Sequence, residues 1–435
     1  FKFLMFNNQL NIGIIGLGTV GSGVVETLEK KNNYFKKKYN LEINILGISA
    51  KKKNKKRVFN VKKYKWYNNP LKIIDIKNIH VIVELIGGSS GLALKIANKT
   101  IRNKKHLITA NKALLAVHGE KLSELAIKNS VNICFEAAVA GAIPIINVLE
   151  NRMLSDDIAN IYGILNGTCN YILSQMSEKK ITFDSALKNA QNAGFAEADP
   201  HDDISGNDTA YKLVILTNLI FSTNFKIKHV YLEGITKISN IDLEMGDKLG
   251  FTILLLGISN IKNRIIQLRV HPCLVSKSSL LAKVKNELNS VVIEGDMVGK
   301  TLLIGKGAGK KPTAASVISD IISFENNKKR KLQYIKRKNL SFIRANINDR
   351  KGKFYLRIGV LDKPGVLADI TSFFKRQKIS ISNMFQLEKK ISGYVQLIFV
   401  THNILERQLT LTIKKIEKLD KVKTKVNVIR IENSI

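Results

Sequence analysis

Between Ala196 and Leu213 the sequence reads AEADPHDDISGNDTAYKL, which places five acids and a lysine within eighteen residues. Ser205, followed three residues later by Asp208, has capping-box spacing, Gly206 eases the turn, and Leu213 to Leu216 continues a helix. On that helix Asp208 and Lys212 lie one turn apart on one face. Glu197, Asp199, Asp202 and Asp203 precede it as an acidic cup, with Pro200 interrupting any earlier helix. An ammonium so placed can give a proton to a developing alkoxide and stabilise it, while the carboxylates bind a cationic group of a substrate.

The plain alternative is a solvated helix start whose acids favour the dipole, with an exposed Asp208–Lys212 pair contributing about 0.2–0.5 kcal/mol. Against it stand Ala210, Tyr211, Leu213, Val214, Ile215, Leu216, Leu219, Ile220 and Phe221, which leave little of the circumference polar. A helix apolar nearly all round is buried, and ionised groups on it are costly unless paired or engaged with a ligand.

The elements that must position this stretch begin with a strand, Asn11 to Ile15. It runs into Gly16-Leu17-Gly18-Thr19-Val20-Gly21 and then a helical pattern at Val24, Val25 and Leu28. Strand, glycine turn and helix in that order fit a dinucleotide site: Gly16 for the turn, Gly18 for pyrophosphate approach, Gly21 for helix packing. The second strand, Ile43 to Ser49, ends in Ala50-Lys51-Lys52-Lys53 and not in the acid that would hold an NAD ribose. That favours NADP, with NAD left open because lysine is abundant throughout. His80 to Leu85 is a third strand ending in Ile86-Gly87-Gly88, and His106 to Thr109 a fourth, with Asn111-Lys112 at its carboxyl end, where doubly wound sheets bind ligands. Asn132 to Glu136 reads as another strand, followed by the small residues Ala137 to Pro144.

Further on, a strand from Ile161 leads to Asn166-Gly167-Thr168-Cys169-Asn170 and a helix from Tyr171. Thr168 there either offers its hydroxyl to a ligand or caps the helix. Strands are expected at Gln267 to Val270 and Ser290 to Gly295. Gly305-Lys306-Gly307-Ala308-Gly309 opens a helix from Thr313 to Ser323 but lacks Walker spacing. After the charged stretch NNKKRKLQYIKRKN, the tail reads strand 354–361, turn Asp362-Lys363-Pro364-Gly365, helix 366–376, strands 379–387 and 394–401, helix 405–419 and strand 425–431. This is the β-α-β-β-α-β order of a ferredoxin-like unit.

Seventy Lys and Arg face 35 Asp and Glu in 435 residues, a formal charge of +35. The lysines are dispersed among Asn and Ile with a single Trp and no zinc-finger spacing, so neither a specific nucleic-acid partner nor a membrane is expected. No apolar run reaches the roughly 20 residues of a membrane span. Three scattered cysteines, Cys134, Cys169 and Cys273, fit a reducing compartment, and nothing resembles a signal or transit peptide; a cytoplasmic location is expected.

Taken together, GLGTVGSGV, TANKALLA, FEAAVAGAIPII, GILNGTCNYIL, AEADPHDDISGNDTAYKL and GKGAGKKPTAASVISD resemble the blocks of the homoserine dehydrogenase family, in that family's order. DKPGVLADI in the tail is similar to an ACT domain. The resemblance implies an α/β chain with a Rossmann domain at 1–140 completed by about 305–325, an α+β catalytic and dimerisation domain at 141–304, a linker at 326–352 and an ACT domain at 353–435. It implies NAD(P)-dependent interconversion of L-aspartate 4-semialdehyde and L-homoserine, with Lys212 as proton donor and acceptor, Asp208 beside it, and Lys112 reaching substrate and nicotinamide. Glu197, Asp203 and Thr168 would hold substrate. Gly16 to Gly21 (with Leu17, Gly18, Thr19 and Val20), Lys51, Lys112 and Gly309 would contact cofactor. Glu136, Val139, Gly141 and Ile143 would hold a monovalent cation such as Na+. A homodimer or homotetramer and an L-threonine effector at the ACT domain also follow. Cys169, Ala142 and Lys306 depart from the family's usual Thr, Gly and Pro. Two rivals stand beside this reading: another Rossmann dehydrogenase acting on a different aldehyde or keto acid, and a catalytically silent nucleotide-binding regulator.

Overall fold

Runs of buried Ile and Val make the first sheet parallel, since strands covered on both faces need no polar alternation. The computed structural model describes residues 8–326, 342–391 and 393–432. It opens with β1 (Gln9–Ile15), α1 (Thr19–Tyr39), β2 (Glu42–Ser49), α2 (Leu71–Ile74), β3 (Val81–Glu84), α3 (Leu92–Arg102), β4 (His106–Thr109), α4 (Lys112–Lys128) and β5 (Ile133–Cys134). The strand order is β2-β1-β3-β4-β5, all parallel. The order reverses between β1 and β3, so the crevice for a ligand opens at their carboxyl ends. Ile12, Ile14, Val81, Val83 and Ile108 form the core beneath it.

The chain continues through α5 (Ile145–Asn151), β6 (Ile158–Ile164), α6 (Gly167–Lys179), α7 (Phe183–Asn192), α8 (His201–Ile204) and α9 (Asn207–Phe221). Then come β7 (Tyr231–Leu232), α10 (Asn240–Lys248), β8 (Phe251–Lys262), β9 (Ile265–Ser276), β10 (Leu288–Gly295), β11 (Gly299–Lys306) and α11 (Lys310–Asn326). β8 and β9 form a long antiparallel hairpin whose two turn residues, Asn263 and Arg264, both take left-handed backbone, as a two-residue turn of this twist requires. β10 pairs antiparallel with both β6 and β11.

The tail holds β12 (Ile343–Arg344), β13 (Lys351–Val360), α12 (Val366–Arg376), β14 (Ile381–Ile391), β15 (Tyr394–Thr401), β16 (Ile404–Leu405), α13 (Glu406–Ile416) and β17 (Asn427–Glu432). Its sheet order β17-β13-β15-β14 and its two helices make the ferredoxin-like unit read from the sequence. Phe354, Leu356, Ile370, Phe374 and Phe399 fill its core. β17 also pairs in parallel with β9, Arg430 opposite Cys273.

By contacts the chain divides into two units: Phe1–Gly167, Ala210–Val230 and Leu288–Ser341; and Thr168–Thr209, Tyr231–Glu287 and Phe342–Ile435. The second unit joins the middle of the chain to its tail. Several expectations change at their edges. The strand expected at 132–136 stops at Cys134, because Phe135 leaves extended backbone (ψ 29°) and Glu136–Ala138 form a single 3-10 turn. The helices expected from Tyr171 and Thr313 start earlier, at Gly167 and Lys310. Of the expected linker, 327–341 lies outside the described residues; beyond it β12 pairs with β9 and Arg350 is buried. No described helix is long and apolar enough to cross a membrane.

Candidate active site

In the first unit, Gly16 has φ +103°, and a Cβ there would meet the Leu85 carbonyl oxygen at 2.4 Å. Gly18 caps α1, and a Cβ on it would meet nothing within 4 Å. Gly16 is thus demanded by packing, whereas Gly18 leaves open space at the positive end of a 21-residue helix, the place a pyrophosphate takes. Leu17 is buried, and Thr19 and Val20 form the first helical positions.

The second glycine stretch, remote in sequence, is brought to the first. A Cβ on Gly23 of α1 would lie 2.9 Å from the Lys310 carbonyl oxygen, and Lys310 pairs with Glu26 at 2.5 Å, so α1 and α11 begin side by side. Gly309, φ +115°, makes the turn into α11. Ala142 N–H donates to the Lys306 carbonyl at 3.0 Å, which seats this loop on the run of small residues.

Lys51 stands exposed after β2. The lysine loop it opens is shaped by a residue that the sequence reading passed over, Arg57. Its guanidinium donates to the carbonyls of Lys52 (2.6 Å), Lys53 (2.9 Å) and Lys55 (3.0 Å) and lies 5.6 Å over the Trp66 ring. The signal available was a lone arginine closing KKKNKKR ahead of the single tryptophan.

Lys112 is the first residue of α4, whose cap is Asn111: Oδ1 accepts from Leu114 N–H at 3.0 Å and Nδ2 donates to the Gly88 carbonyl at 2.8 Å. A second residue missed in the sequence is Glu84, fully buried at the carboxyl end of β3. Burial pushes its carboxyl up to about 7, against smaller opposing contributions from Thr109, the Ile86 N–H and Asn111.

On α9, Asp208 and Lys212 are both buried, at 2% and 8% exposure, which excludes the solvated ion pair. Lys212 Nζ donates to the Leu165 carbonyl oxygen at 2.6 Å, at the end of β6. The helix starts at Asn207, so Gly206 and not Ser205 stands directly before it, and the acids of the cup lie at the surface: Glu197, Asp199 and Asp202 are exposed and Asp203 is half-buried. Two of them are spent locally, Asp199 accepting from His201 N–H at 3.1 Å and Asp202 from the Asn207 amide at 3.3 Å.

α6 holds this acidic stretch in place. Thr168 Oγ1 donates to the Phe195 carbonyl at 2.7 Å, and Cys169 Sγ donates to the Asp203 carbonyl at 3.1 Å. Phe195 also packs on Tyr171, ring centroids 4.9 Å apart. The thiol at 169 therefore does positional work as a donor, a role open to the hydroxyl usual in the resembling family.

Glu136, Val139, Gly141 and Ile143 are all buried. The Glu136 carboxylate accepts from Ile146 N–H and Asn147 N–H, both at 2.9 Å, and the Gly141 carbonyl accepts from Ser316 Oγ at 2.7 Å. Ala140 and Gly141 take successive left-handed conformations, which bends the chain sharply there. The set offers a buried carboxyl and main-chain oxygens, the kind of oxygen donors that would suit a hard monovalent cation.

Residues 16–136 match the family described as homoserine dehydrogenase, NAD binding domain, residues 144–322 the family homoserine dehydrogenase, and residues 354–421 the ACT domain. The chain is 37% identical over 432 residues to the homoserine dehydrogenase of Neisseria gonorrhoeae, with 98% of this chain and 99% of that protein covered. It is 38% identical over 436 residues to that of Helicobacter pylori, with the same coverage. Among solved structures, a homoserine dehydrogenase from Thiobacillus denitrificans superposes with a TM-score of 0.88 at 36% identity, covering 98% of each chain. A hyperthermophilic archaeal homoserine dehydrogenase in complex with NADPH gives 0.64 at 26% identity, covering 74% of this chain and 99% of that one.

Proposed function

The chain belongs to the homoserine dehydrogenase family, the NAD(P)-dependent oxidoreductases that interconvert L-aspartate 4-semialdehyde and L-homoserine, and we propose that Lys212 and Asp208 of α9 carry its proton chemistry. The observation that carries this reading is the burial of both groups one turn apart, with the lysine anchored at the end of β6. A nicotinamide cofactor supplies the hydride in the reducing direction. Lys212 then gives a proton to the carbonyl oxygen as charge develops there, and Asp208 holds the ammonium in its protonated, oriented state. Glu197 and Asp203 bind the substrate's α-ammonium, Thr168 supports the substrate side, and Lys112 serves both substrate and nicotinamide. The test is turnover by Lys212→Ala against an unchanged equilibrium affinity for NADPH.

NADP is the preferred cofactor in this reading, because the loop of Lys51 to Lys55 braced by Arg57 offers cations and no acid to the ribose phosphate; an archaeal relative solved with NADPH supports it. Rates of NADPH and NADH oxidation with aspartate semialdehyde decide the point, equal kcat/KM values removing the preference. Gly16 to Gly21 and Gly309 hold the phosphates from two helix starts. Glu136, Val139, Gly141 and Ile143 would hold a monovalent cation such as Na+ at the small-residue turn on which the second glycine loop rests. Three buried cysteines, none in a disulfide, support a reducing, cytoplasmic setting, and a homodimer or homotetramer is the assembly.

The ACT unit senses an amino acid, L-threonine, at the exposed turn Asp362 to Gly365. Gly365, φ 85°, stands at the cap of α12 and has no side chain to cover it, so the first N–H groups of the helix suit a carboxylate. Inhibition follows only where threonine binds one conformational state better than another. Because β17 pairs with β9, removing the tail would strip a strand from the catalytic sheet. Gly365→Asp in the full chain, titrated with threonine, is therefore the informative variant.

A further inference from the structure

Glu84 is a buried ionisable group that the chemistry above does not use. It stands at the carboxyl end of β3, in register with Thr109 on β4, with no solvent exposure. Its two oxygens serve two segments. Oε1 accepts from Ile86 N–H at 2.8 Å, in the loop after β3, and Oε2 accepts from the Thr109 hydroxyl at 2.5 Å. Thr109 Oγ1 accepts in turn from Asn111 N–H at 3.0 Å, and the Asn111 amide returns to the first loop by donating to the Gly88 carbonyl at 2.8 Å. A closed ring of hydrogen bonds thus joins the loop after β3 to the turn after β4, at the carboxyl ends of the strands and next to the point where the strand order reverses. Lys112 is the next residue, the first of α4.

We propose that Glu84 is a positioning residue of the cofactor site, its carboxylate locking the loop 86–88 to the turn 109–111 so that Lys112 and the start of α4 are presented in one arrangement. This rests on the reading that Lys112 belongs to the site. A carboxylate is suited to the task because it accepts from both segments at once. Glutamine must turn its NH2 toward either the Ile86 N–H or the Thr109 hydroxyl, losing one bond or reversing its direction.

The charge is a burden to the fold. The groups facing Glu84 from β4 and the two loops are the Thr109 hydroxyl, the Ile86 N–H and the Asn111 amide, all neutral, and burial pushes the carboxyl from 4.5 up to about 7. A folded-state value above the unfolded one means that the folded state binds the extra proton between those limits. The contribution of Glu84 to stability is therefore complete below pH 4.5 and is lost as pH rises through about 7. A group wanted only for packing would be better served by a neutral isostere.

The experiment compares full-length wild type, Glu84→Gln, Thr109→Ser, Thr109→Val and Lys112→Ala. It reads kcat and KM for NADPH and for aspartate semialdehyde, with thermal midpoints from about pH 5 to about pH 9. Glu84→Gln is expected to lose about 10- to 100-fold in kcat/KM, the scale of a small misplacement of a reacting group, while melting at or above the wild-type temperature at the alkaline end. Thr109→Val follows it, and Thr109→Ser, which keeps the hydroxyl, stays within about threefold. Near-wild-type kinetics in Glu84→Gln, or an activity loss that merely tracks a lowered melting temperature, overturns the proposal. Full activity in Lys112→Ala removes Lys112 from the site and the proposal with it, whereas a disabled Lys112→Ala beside an intact Glu84→Gln sinks the positioning role alone.

Discussion

Where β9 meets β17, three buried arginines each face a carboxylate, whereas on α9 the buried Lys212 is anchored to the carbonyl oxygen of Leu165. Arg430 forks onto Glu406, reaches Glu233 at 2.8 Å and Tyr231 at 2.7 Å, and Arg269 and Arg350 converge on Glu432. Nearby, Arg357 of β13 grips Asp242 at the start of α10 with bonds of 2.8 and 3.1 Å, joined by the Asn427 amide. Both regions bury charge. The seam answers each charge with a fixed opposite one, which suits a rigid joint between the catalytic segments of the second unit and its ferredoxin-like tail. On α9 the Leu165 carbonyl fixes the direction of the lysine side chain, and Asp208 lies one turn before it on the same helix. Burial of charge does not by itself mark a reacting group.

The same comparison disposes of a metal centre. His271, Cys273 and Glu432 place ligand atoms within 4.8 Å of one another, all buried. Arg269 and Arg350 already occupy Glu432, Arg269 lies 3.3 Å from His271 Nε2, and burial holds the Cys273 thiol protonated, so a cation there would meet arginines and no thiolate.

The sharpest way to break the contrast is Lys212→Ala, expected to lower kcat by on the order of 10²- to 10⁴-fold with NADPH affinity close to wild type. An equal fall in cofactor affinity would reassign the lysine to cofactor binding. At the seam the effect should be on stability: Arg430→Ala strands two carboxylates and should cost about 3–5 kcal/mol in urea unfolding, while Arg430→Met, which keeps part of the packing, costs less. A kinetic defect in Arg430→Ala without loss of stability would mean the seam is part of the chemistry. Glu197→Ala comes next, with KM for homoserine rising about tenfold, the value of one charge-assisted hydrogen bond, and kcat largely kept; an unmoved KM would take Glu197 out of the substrate site. The smallest effect expected is none: Zn2+ at concentrations that saturate ordinary His/Cys sites should leave the melting temperature unchanged, and a clear rise would restore the metal reading.

Local grammar made much of this molecule legible in its sequence. A β-branched run ending in Gly16 to Gly21 turns and starts a helix, and the Asp362 to Gly365 turn falls between a strand, which ends one residue earlier than read and begins three earlier, and a helix with the bounds read for it. The apolar circumference of α9 announced that Asp208 and Lys212 are buried, because a 3.6-residue period puts every such side chain against protein. Relations between distant segments were not legible. That Gly309 opens a helix beginning beside α1, that Cys169 secures Asp203 and that β17 extends the pairing of β9 depend on which surfaces meet, and periodicity is silent on that. Exposure depended on the fold as a whole: the acids at 197, 199 and 202 read as part of an acidic cup before the helix, and they lie exposed, while Asp208 is buried on the packed helix. Glu84 is the clearest case. In sequence it is one acid ending a strand, and only burial in the fold pushes its carboxyl up to about 7, with the Thr109 hydroxyl of the neighbouring strand, 2.5 Å away, opposing the shift.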